Sequence, residues 1–266
     1  MDILSRIVNT KKSEIADARR IRPLRELRDA CLELPPARPF LEHLVHPGPS
    51  GINIVAEIKR RSPSKGWLNA GMDATRQAAA YSDGGAAALS VLTDRTYFAG
   101  SQRDLAQARS ASPLPVLRKD FIIDAYQVFE SRVMGADAVL LICRILSALQ
   151  LRELLALSGE LGMDALVEVH TPADAAAATA AGARLIGINN RNLASFETDI
   201  RTAANISARL APNQIPVAAS GIRTRADIEF NLAGGIFNFL IGEALVRSED
   251  PQRLLIELQQ PGEGAA

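Results

Sequence analysis

The sequence predicts an α/β fold of the (β/α)8 kind, a TIM barrel with an N-terminal helical extension. Eight short β-branched or leucine-rich runs begin at intervals of roughly 20 to 33 residues, the length that a strand, a loop and a crossover helix need. Each run is followed by a stretch rich in Ala, Leu, Arg, Glu and Gln that suits a helix. No break in composition interrupts the series, so the 266 residues are expected to form a single barrel domain. Its expected parts are an extension over 1–53, the (β/α)8 core over 54–250 and a helix end with a tail over 251–266. An open doubly wound sheet is the alternative for such a pattern. It lacks support from a G-x-G-x-x-G after the first strand, and no G-x-x-x-x-G-K-[ST] is present.

The elements follow in order. Residues 3 to 18 place Ile3, Leu4, Ile7, Val8 and Ile15 near one helical face, with Lys11, Lys12, Glu14 and Asp17 among the polar positions, and so predict an amphipathic helix. Strands are expected over Ile54 to Ile58, Ala87 to Leu92, Pro115 to Leu117, Ala138 to Ile142, Ala165 to Val169, Leu185 to Asn189, Pro216 to Ala219 and Asn238 to Ile241. The pairs Gly84-Gly85, Gly135-Ala136, Gly182-Ala183 and Gly234-Gly235 mark where a helix must stop and reverse into the next strand.

Composition limits the partners. Thirty basic residues match thirty acidic ones and aromatics make up only 5% of the chain, which offers neither the basic footprint nor the stacking platforms of a nucleic-acid binder. A small-molecule partner is expected, and the 47% hydrophobic content supports a substantial core. Cys31 and Cys143 lack zinc or disulfide spacing, so reduced thiols and a cytoplasmic location are expected. The N-terminus does not read as an export signal, and no apolar run approaches the roughly eighteen residues that span a bilayer.

In such a barrel the chemistry collects at the C-terminal ends of the strands. The first strand ends in Glu57 and Lys59, two residues apart and therefore on one side. The third ends in Arg118-Lys119-Asp120 and the fifth in Glu168-Val169-His170, so Lys119 and Glu168 form a candidate acid/base pair from separated strands. Each could instead be an ordinary rim charge, but several on one expected face argue otherwise. A buried lysine among other cations loses affinity for its proton and a carboxylate in an apolar mouth gains it, and both are expected to move that way here. Asn189 and Arg191 follow the sixth strand, again two apart, and could hydrogen-bond a hydroxylated or carboxylated substrate. Ser220-Gly221 and Gly242-Glu243 end the last two strands, the usual phosphate cradle of this barrel, where small residues let backbone amides approach an anion. His43, His46 and His170 have no metal-type spacing, so neither a metal nor a cofactor is expected. Trp67 is expected to anchor a long loop, with Ser62 and Lys65 nearby. Phe98 and Phe121 are either an aromatic wall or core residues.

The segments Val55-Ala56-Glu57-Ile58-Lys59-Arg60-Arg61-Ser62-Pro63-Ser64-Lys65-Gly66, Leu89-Ser90-Val91-Leu92-Thr93-Asp94, Leu117-Arg118-Lys119-Asp120-Phe121, Val167-Glu168-Val169-His170 and Gly187-Ile188-Asn189-Asn190-Arg191-Asn192-Leu193 closely resemble the indole-3-glycerol-phosphate synthase family. The likeness runs from the opening helix to the last strand in one order. It implies a carboxy-lyase of tryptophan biosynthesis that closes, decarboxylates and dehydrates 1-(2-carboxyphenylamino)-1-deoxyribulose 5-phosphate to indole-3-glycerol phosphate. By that resemblance Lys119 is the general acid, Glu168 serves the proton transfers of dehydration, and Lys59 holds the carboxylate or phosphate side. Glu57, Asn189 and Arg191 orient the sugar-derived chain, and Ser62 matches an active-site serine. Phe98, Phe121 and Leu193 enclose the aryl ring, while Ser220, Gly221, Gly242 and Glu243 contact phosphate, the last through its amide. The opening helix matches an extension over the barrel mouth. One departure stands out: the family usually has glutamate before the Ser-Gly pair of the seventh strand, where this chain has Ala219. Ala219 keeps open an attenuated paralogue that binds the ligand or a partner enzyme, and a phosphoribosylanthranilate isomerase-like barrel, whose substrate nearly shares the aryl group and phosphate, is the competing enzyme.

Overall fold

The computed structural model describes residues 3–192 and 197–260. Eight parallel strands close into a barrel in chain order: β1 (Asn53–Ile58), β2 (Ala88–Leu92), β3 (Val116–Lys119), β4 (Ala138–Ile142), β5 (Asp164–Val169), β6 (Leu185–Asn189), β7 (Ile215–Ala219) and β8 (Asn238–Ile241). The pairing of β8 with β1 closes the ring. Every expected run is a strand, and those at 138–142, 185–189 and 238–241 have the expected bounds. The third differs: it continues through Arg118 and Lys119, because Val91 and Leu92 of β2 pair with them. A charged residue does not end a strand whose backbone groups still have a ladder partner. Arg118 is then buried on the helix side, against Asp120, Glu130 and the Ser131 hydroxyl.

The segment before β1 holds more than the single expected helix. It forms α1 (Ile3–Ile21), α2 (Leu24–Leu32) and the single-turn α3 (Glu42–Val45). Pro23, whose ring fixes a φ of −59°, separates the first two. Around the barrel run α4 (Ala74–Asp83), α5 (Arg95–Phe98), α6 (Gln102–Ala111), α7 (Ala125–Met134), α8 (Ala148–Glu160), α9 (Pro172–Ala180), α10 (Arg201–Ser207), α11 (Arg225–Leu232), α12 (Glu243–Arg247) and α13 (Pro251–Gln259). Four of these, α4, α7, α9 and α11, end at or just before the expected glycines. No helix among the described residues is long and apolar enough to cross a membrane, and Cys31 and Cys143 are both free.

Alternation along each strand divides the core in two. Val55, Leu117, Leu140, Leu166, Val217 and Leu240 point inward and fill the lumen. Their neighbours Ile54, Val116, Val139, Val167, Ala218 and Ile241 point outward and pack against the helices. The lumen is sealed below by the strap from residue 38 to 46. Phe40 and Leu44 are fully buried in the lumen cluster, and the buried amide of Asn53 donates to the His46 carbonyl and to Asn238 Oδ1, both at 2.8 Å. Asn238 in turn donates to the carbonyls of Leu44 and Pro216.

Asp137, fully buried before β4, clamps this strap to the barrel. Its carboxylate accepts the Arg38 amide at 2.7 Å and the Val116 amide at 2.8 Å, and pairs with Arg109 at 2.5 Å. Asp137→Ala leaves two amides and a guanidinium without their acceptor, so a stability loss of about 3 kcal/mol is expected in urea unfolding. An unchanged midpoint and slope would remove the clamp from the account of stability.

Candidate active site

The strand ends at the C-terminal face surround one pocket, roofed by Ile3, Leu4 and Ile7 of α1. Because the strands are parallel and adjacent, residues far apart in sequence reach it together. Glu57 ends the inward row of β1, Lys119 that of β3, Glu168 that of β5 and Asn189 that of β6. Among the described residues, every position the sequence assigned to catalysis or substrate binding lines this pocket, whereas Lys65, Trp67 and His170 do not. Leu193 lies outside the described residues.

Four charges share the mouth. Lys119 Nζ lies 3.8 Å from Glu57 Oε2 and 3.8 Å from Glu168 Oε2, and Lys59 Nζ donates to Glu57 Oε1 at 2.5 Å. The pKa directions reverse the expectation from the sequence. Burial disfavours the charge on Lys119, yet the attraction of Glu57 and Glu168 and hydrogen bonds to both outweigh it, so its pKa stands above the ordinary lysine value. Burial likewise opposes ionisation of Glu57, but Lys59 and Lys119 hold its pKa below the ordinary carboxylate value. The cause is the neighbourhood: each lysine faces carboxylates, whereas the sequence suggested other cations. The ring of His170 lies 3.6 Å from Glu168 Oε1, and burial keeps its pKa below the usual imidazole value despite that carboxylate.

The remaining groups form two walls. On one side the rings of Phe98 and Phe121 stand 5.9 Å apart between centroids and tilted by 37°, a favourable aromatic packing. Both line the pocket, Phe98 half-buried at the end of α5 and Phe121 buried just after β3. Leu92, Leu140 and Ile142 extend this apolar side.

On the other side Arg191 Nη1 donates to Ser64 Oγ at 2.9 Å, and Arg191 Nη2 lies 3.5 Å from Glu243 Oε2. Its backbone amide donates to Asn189 Oδ1. Ser62, buried beneath this loop, accepts the Lys65 amide. The two residues 61–62 pair antiparallel with 66–67, and Arg61 stacks on Trp67, which is itself exposed.

The turns after β7 and β8 pass close to the pocket. Ser220 and Gly221 both take positive φ, 67° and 82°. Asn190 pins the first turn by donating to the Ser220 carbonyl and accepting the Ala203 amide. At Gly242 a Cβ would sit 2.6 Å from Glu57 Oε1, so only glycine leaves room for the carboxylate. Ala219 faces the lumen beside Val217 and Leu240 and lines the pocket.

One buried charge beside the pocket escaped the sequence reading. Lys11 looked like part of a solvated helix face, yet its side chain is 4% exposed and paired with Asp94 and Asp120. The signal was present: Ile3, Ile7, Lys11 and Ile15 recur every four residues, which puts the lysine on the apolar stripe. Among the described residues no cluster of three or more His, Cys, Asp or Glu side chains could hold a metal ion.

Comparison with known proteins agrees with this geometry. The family model described as indole-3-glycerol phosphate synthase matches residues 4–258. A protein of that name from Desulfosudis oleivorans is 53% identical over 97% of this chain and 98% of its own length. Another, from Syntrophobacter fumaroxidans, is 49% identical over 97% of each chain. Among solved structures, 3-hexulose-6-phosphate synthase from Salmonella typhimurium shares the fold, with a TM-score of 0.64 at 15% identity over 78% of this chain and 97% of its own. The family model and the full-length relatives assign the chain plainly: it belongs to the indole-3-glycerol phosphate synthase family.

Proposed function

We propose that this chain converts 1-(2-carboxyphenylamino)-1-deoxyribulose 5-phosphate into indole-3-glycerol phosphate, carbon dioxide and water, acting as one unit from α1 to α13. The observation that carries the mechanism is Lys119, an ammonium held 3.8 Å from two carboxylates between an aromatic wall and two glycine-bearing turns. The aryl carbon bearing the carboxylate attacks the ketose carbonyl, and a carbon–carbon bond forms. Lys119 gives its proton to the carbonyl oxygen as negative charge develops there. Loss of carbon dioxide returns the electron pair to the ring and restores aromaticity. The new hydroxyl then departs as water, protonated by an acid, while the adjacent carbon loses a proton to Glu168. The short path between Glu168 and Lys119 returns that proton to Lys119, and the second proton that the oxygen receives enters from solvent, one being consumed per turnover because the carboxylate leaves as neutral carbon dioxide.

The other groups take supporting roles. Phe98 and Phe121 hold the ring, and Leu193 is assigned to the same wall by family resemblance. Lys59 receives the substrate carboxylate or phosphate side, while Glu57, Asn189, Arg191 and Ser62 orient the hydroxylated chain. Phosphate is expected beside Ser220-Gly221 and Gly242-Glu243, where Arg191 engages the Glu243 side chain. Ala219 favours a second reading, a relative that binds this ligand with little turnover, since no carboxylate rises from that position into the lumen.

Purified protein mixed with the carboxyphenylamino-deoxyribulose phosphate is expected to form the indole product, in the presence of a chelator. Absence of product would overturn the proposed activity. Loss of activity in chelator that magnesium or zinc restores would overturn its metal independence. Recovery of phosphoribosylanthranilate would point to the isomerase instead.

Lys119→Met keeps the stem and removes the proton donor, so turnover should fall by about 10²- to 10⁴-fold. Unchanged turnover would free Lys119 of that role. Gly242→Ala drives a methyl into Glu57 and should cost on the order of 10²-fold in kcat by misplacing it, with the melting temperature nearly kept. Wild-type kinetics in that variant would show that the position of Glu57 is not critical. Ala219→Glu is expected to raise kcat/KM, each tenfold gain corresponding to about 1.4 kcal/mol of transition-state stabilisation. A stable variant with equal or poorer kcat/KM would show that the chain does not need the carboxylate.

A further inference from the structure

The strongest unassigned feature is the ionic hub that joins α1 to the aromatic side of the pocket. Lys11 is a buried ammonium within 2.8 Å of Asp94 Oδ2, 3.0 Å of Asp120 Oδ1 and 2.8 Å of Glu14 Oε2. Asp94 and Asp120 are themselves buried, and each anchors a pocket wall. Asp94 Oδ1 caps α5 by accepting the amides of Tyr97 at 2.6 Å and Phe98 at 3.1 Å. Asp120 Oδ1 accepts the Phe121 amide at 2.8 Å, while Oδ2 accepts from Thr93 and Arg118. One turn before Lys11, Ile7 lines the pocket roof with Ile3 and Leu4. A contact between Thr10 Oγ1 and the Tyr97 hydroxyl, at 2.9 Å, adds to the same seam.

A single cation therefore fixes three things relative to one another: the α1 roof, the turn carrying Phe98, and the turn carrying Phe121 directly after Lys119. Charge makes the arrangement obligatory. Asp94 Oδ2 has no hydrogen-bond partner among the described residues and faces only this ammonium at ion-pair distance. Burial disfavours ionisation of Asp120, but Arg118 and Lys11 hold its pKa down at about 2, and Lys11 keeps its own proton for the matching reason. Without the lysine, buried Asp94 loses its cation, Asp120 keeps only Arg118, and the roof loses its buried ionic tether.

We propose that Lys11 is a positioning residue for the aryl end of the substrate, setting the height of the α1 roof over the Phe98 and Phe121 rings and so selecting for a flat aryl group. The proposal rests on the function assigned above and adds to it a part played by the N-terminal helix in recognising substrate. Phosphate, at the β7 and β8 turns, lies outside its reach.

The test uses the full chain with Lys11→Gln, Lys11→Arg and Leu4→Ala, and with Leu4→Ala combined with each Lys11 variant. Steady-state kinetics with the carboxyphenylamino-deoxyribulose phosphate, inhibition by inorganic phosphate, and hydrogen exchange over α1 are measured. Lys11→Gln should raise KM by about tenfold with kcat within about twofold, and phosphate inhibition should not change. Lys11→Arg should recover most of the loss. Leu4→Ala should raise KM alone, add little in Lys11→Gln because the roof has already shifted, and keep its full effect in Lys11→Arg, which restores the tether. Exchange of the α1 amides should quicken in Lys11→Gln.

Unchanged KM and exchange in Lys11→Gln would overturn the proposal, as would a parallel loss of phosphate affinity or full additivity of Leu4→Ala with Lys11→Gln. If Lys11→Gln does not fold, Asp94→Asn, which keeps the Oδ1 cap of α5 and weakens the ion pair to Lys11, takes its place in the same cycle with Leu4→Ala. A wild-type chain without turnover would defeat the assigned function instead. The tether would then stand or fall on exchange over α1 in Lys11→Gln or, should that variant not fold, in Asp94→Asn.

Discussion

Neutralisation of charge at the mouth of a sealed barrel is the constraint on which the site depends. Beneath Glu57, Lys119 and Glu168 lies a lumen filled by Val55, Leu117, Leu166 and Val217, so these groups lack water on that side and must solvate one another. Glu57 answers two lysines and Lys119 answers two carboxylates. This mutual support keeps Lys119 protonated in the free site. In the function proposed above, proton transfer from Lys119 is thereby tied to the bond-forming step, when negative charge develops on the carbonyl oxygen. It also explains Gly242, since the position of Glu57 leaves no space for a neighbouring methyl.

The N-terminal extension closes the barrel at both ends. Its first helix roofs the mouth, and its strap from residue 38 to 46 plugs the base with Phe40 and Leu44. Polar clamps fix each contact: Lys11 with Asp94 and Asp120 above, Asp137 and the Asn53–Asn238 pair below. Apolar burial supplies most of the affinity between such surfaces, while directional polar groups choose one register among many. The cost of leaving any of these groups unpaired is what makes the docking specific.

The turn after β7 holds its shape with alanine at position 219. Ser220 and Gly221 hold positive φ, and Asn190 grips both the Ser220 carbonyl and the start of α10. The backbone beside the expected phosphate is thus set by Asn190 and the turn, independently of the side chain at Ala219. Changing that side chain is a chemical alteration of the pocket more than a structural one.

Much of this was legible in the sequence. Alternation, spacing and glycine stops dictated eight βα units, because strand and helix periods are local properties of the chain. The strand-end rule then brought Glu57, Lys59, Lys119, Glu168, Asn189 and Arg191 to one face, because parallel strands share a direction. The signs of the pKa shifts were not legible. They depend on which charge lies opposite which, and the ends of β1, β3 and β5, separated by β2 and β4 in the ring, meet at one mouth only when the barrel closes. Lys11 shows the same limit from the other direction: its place on the apolar stripe was written in the sequence, but its partners Asp94 and Asp120 lie more than eighty residues away. Local pattern determined which groups would be available. Closure of the ring and docking of α1 decided what each faces, because electrostatic energy depends on distance in space and on exclusion of water, neither of which a linear chain records.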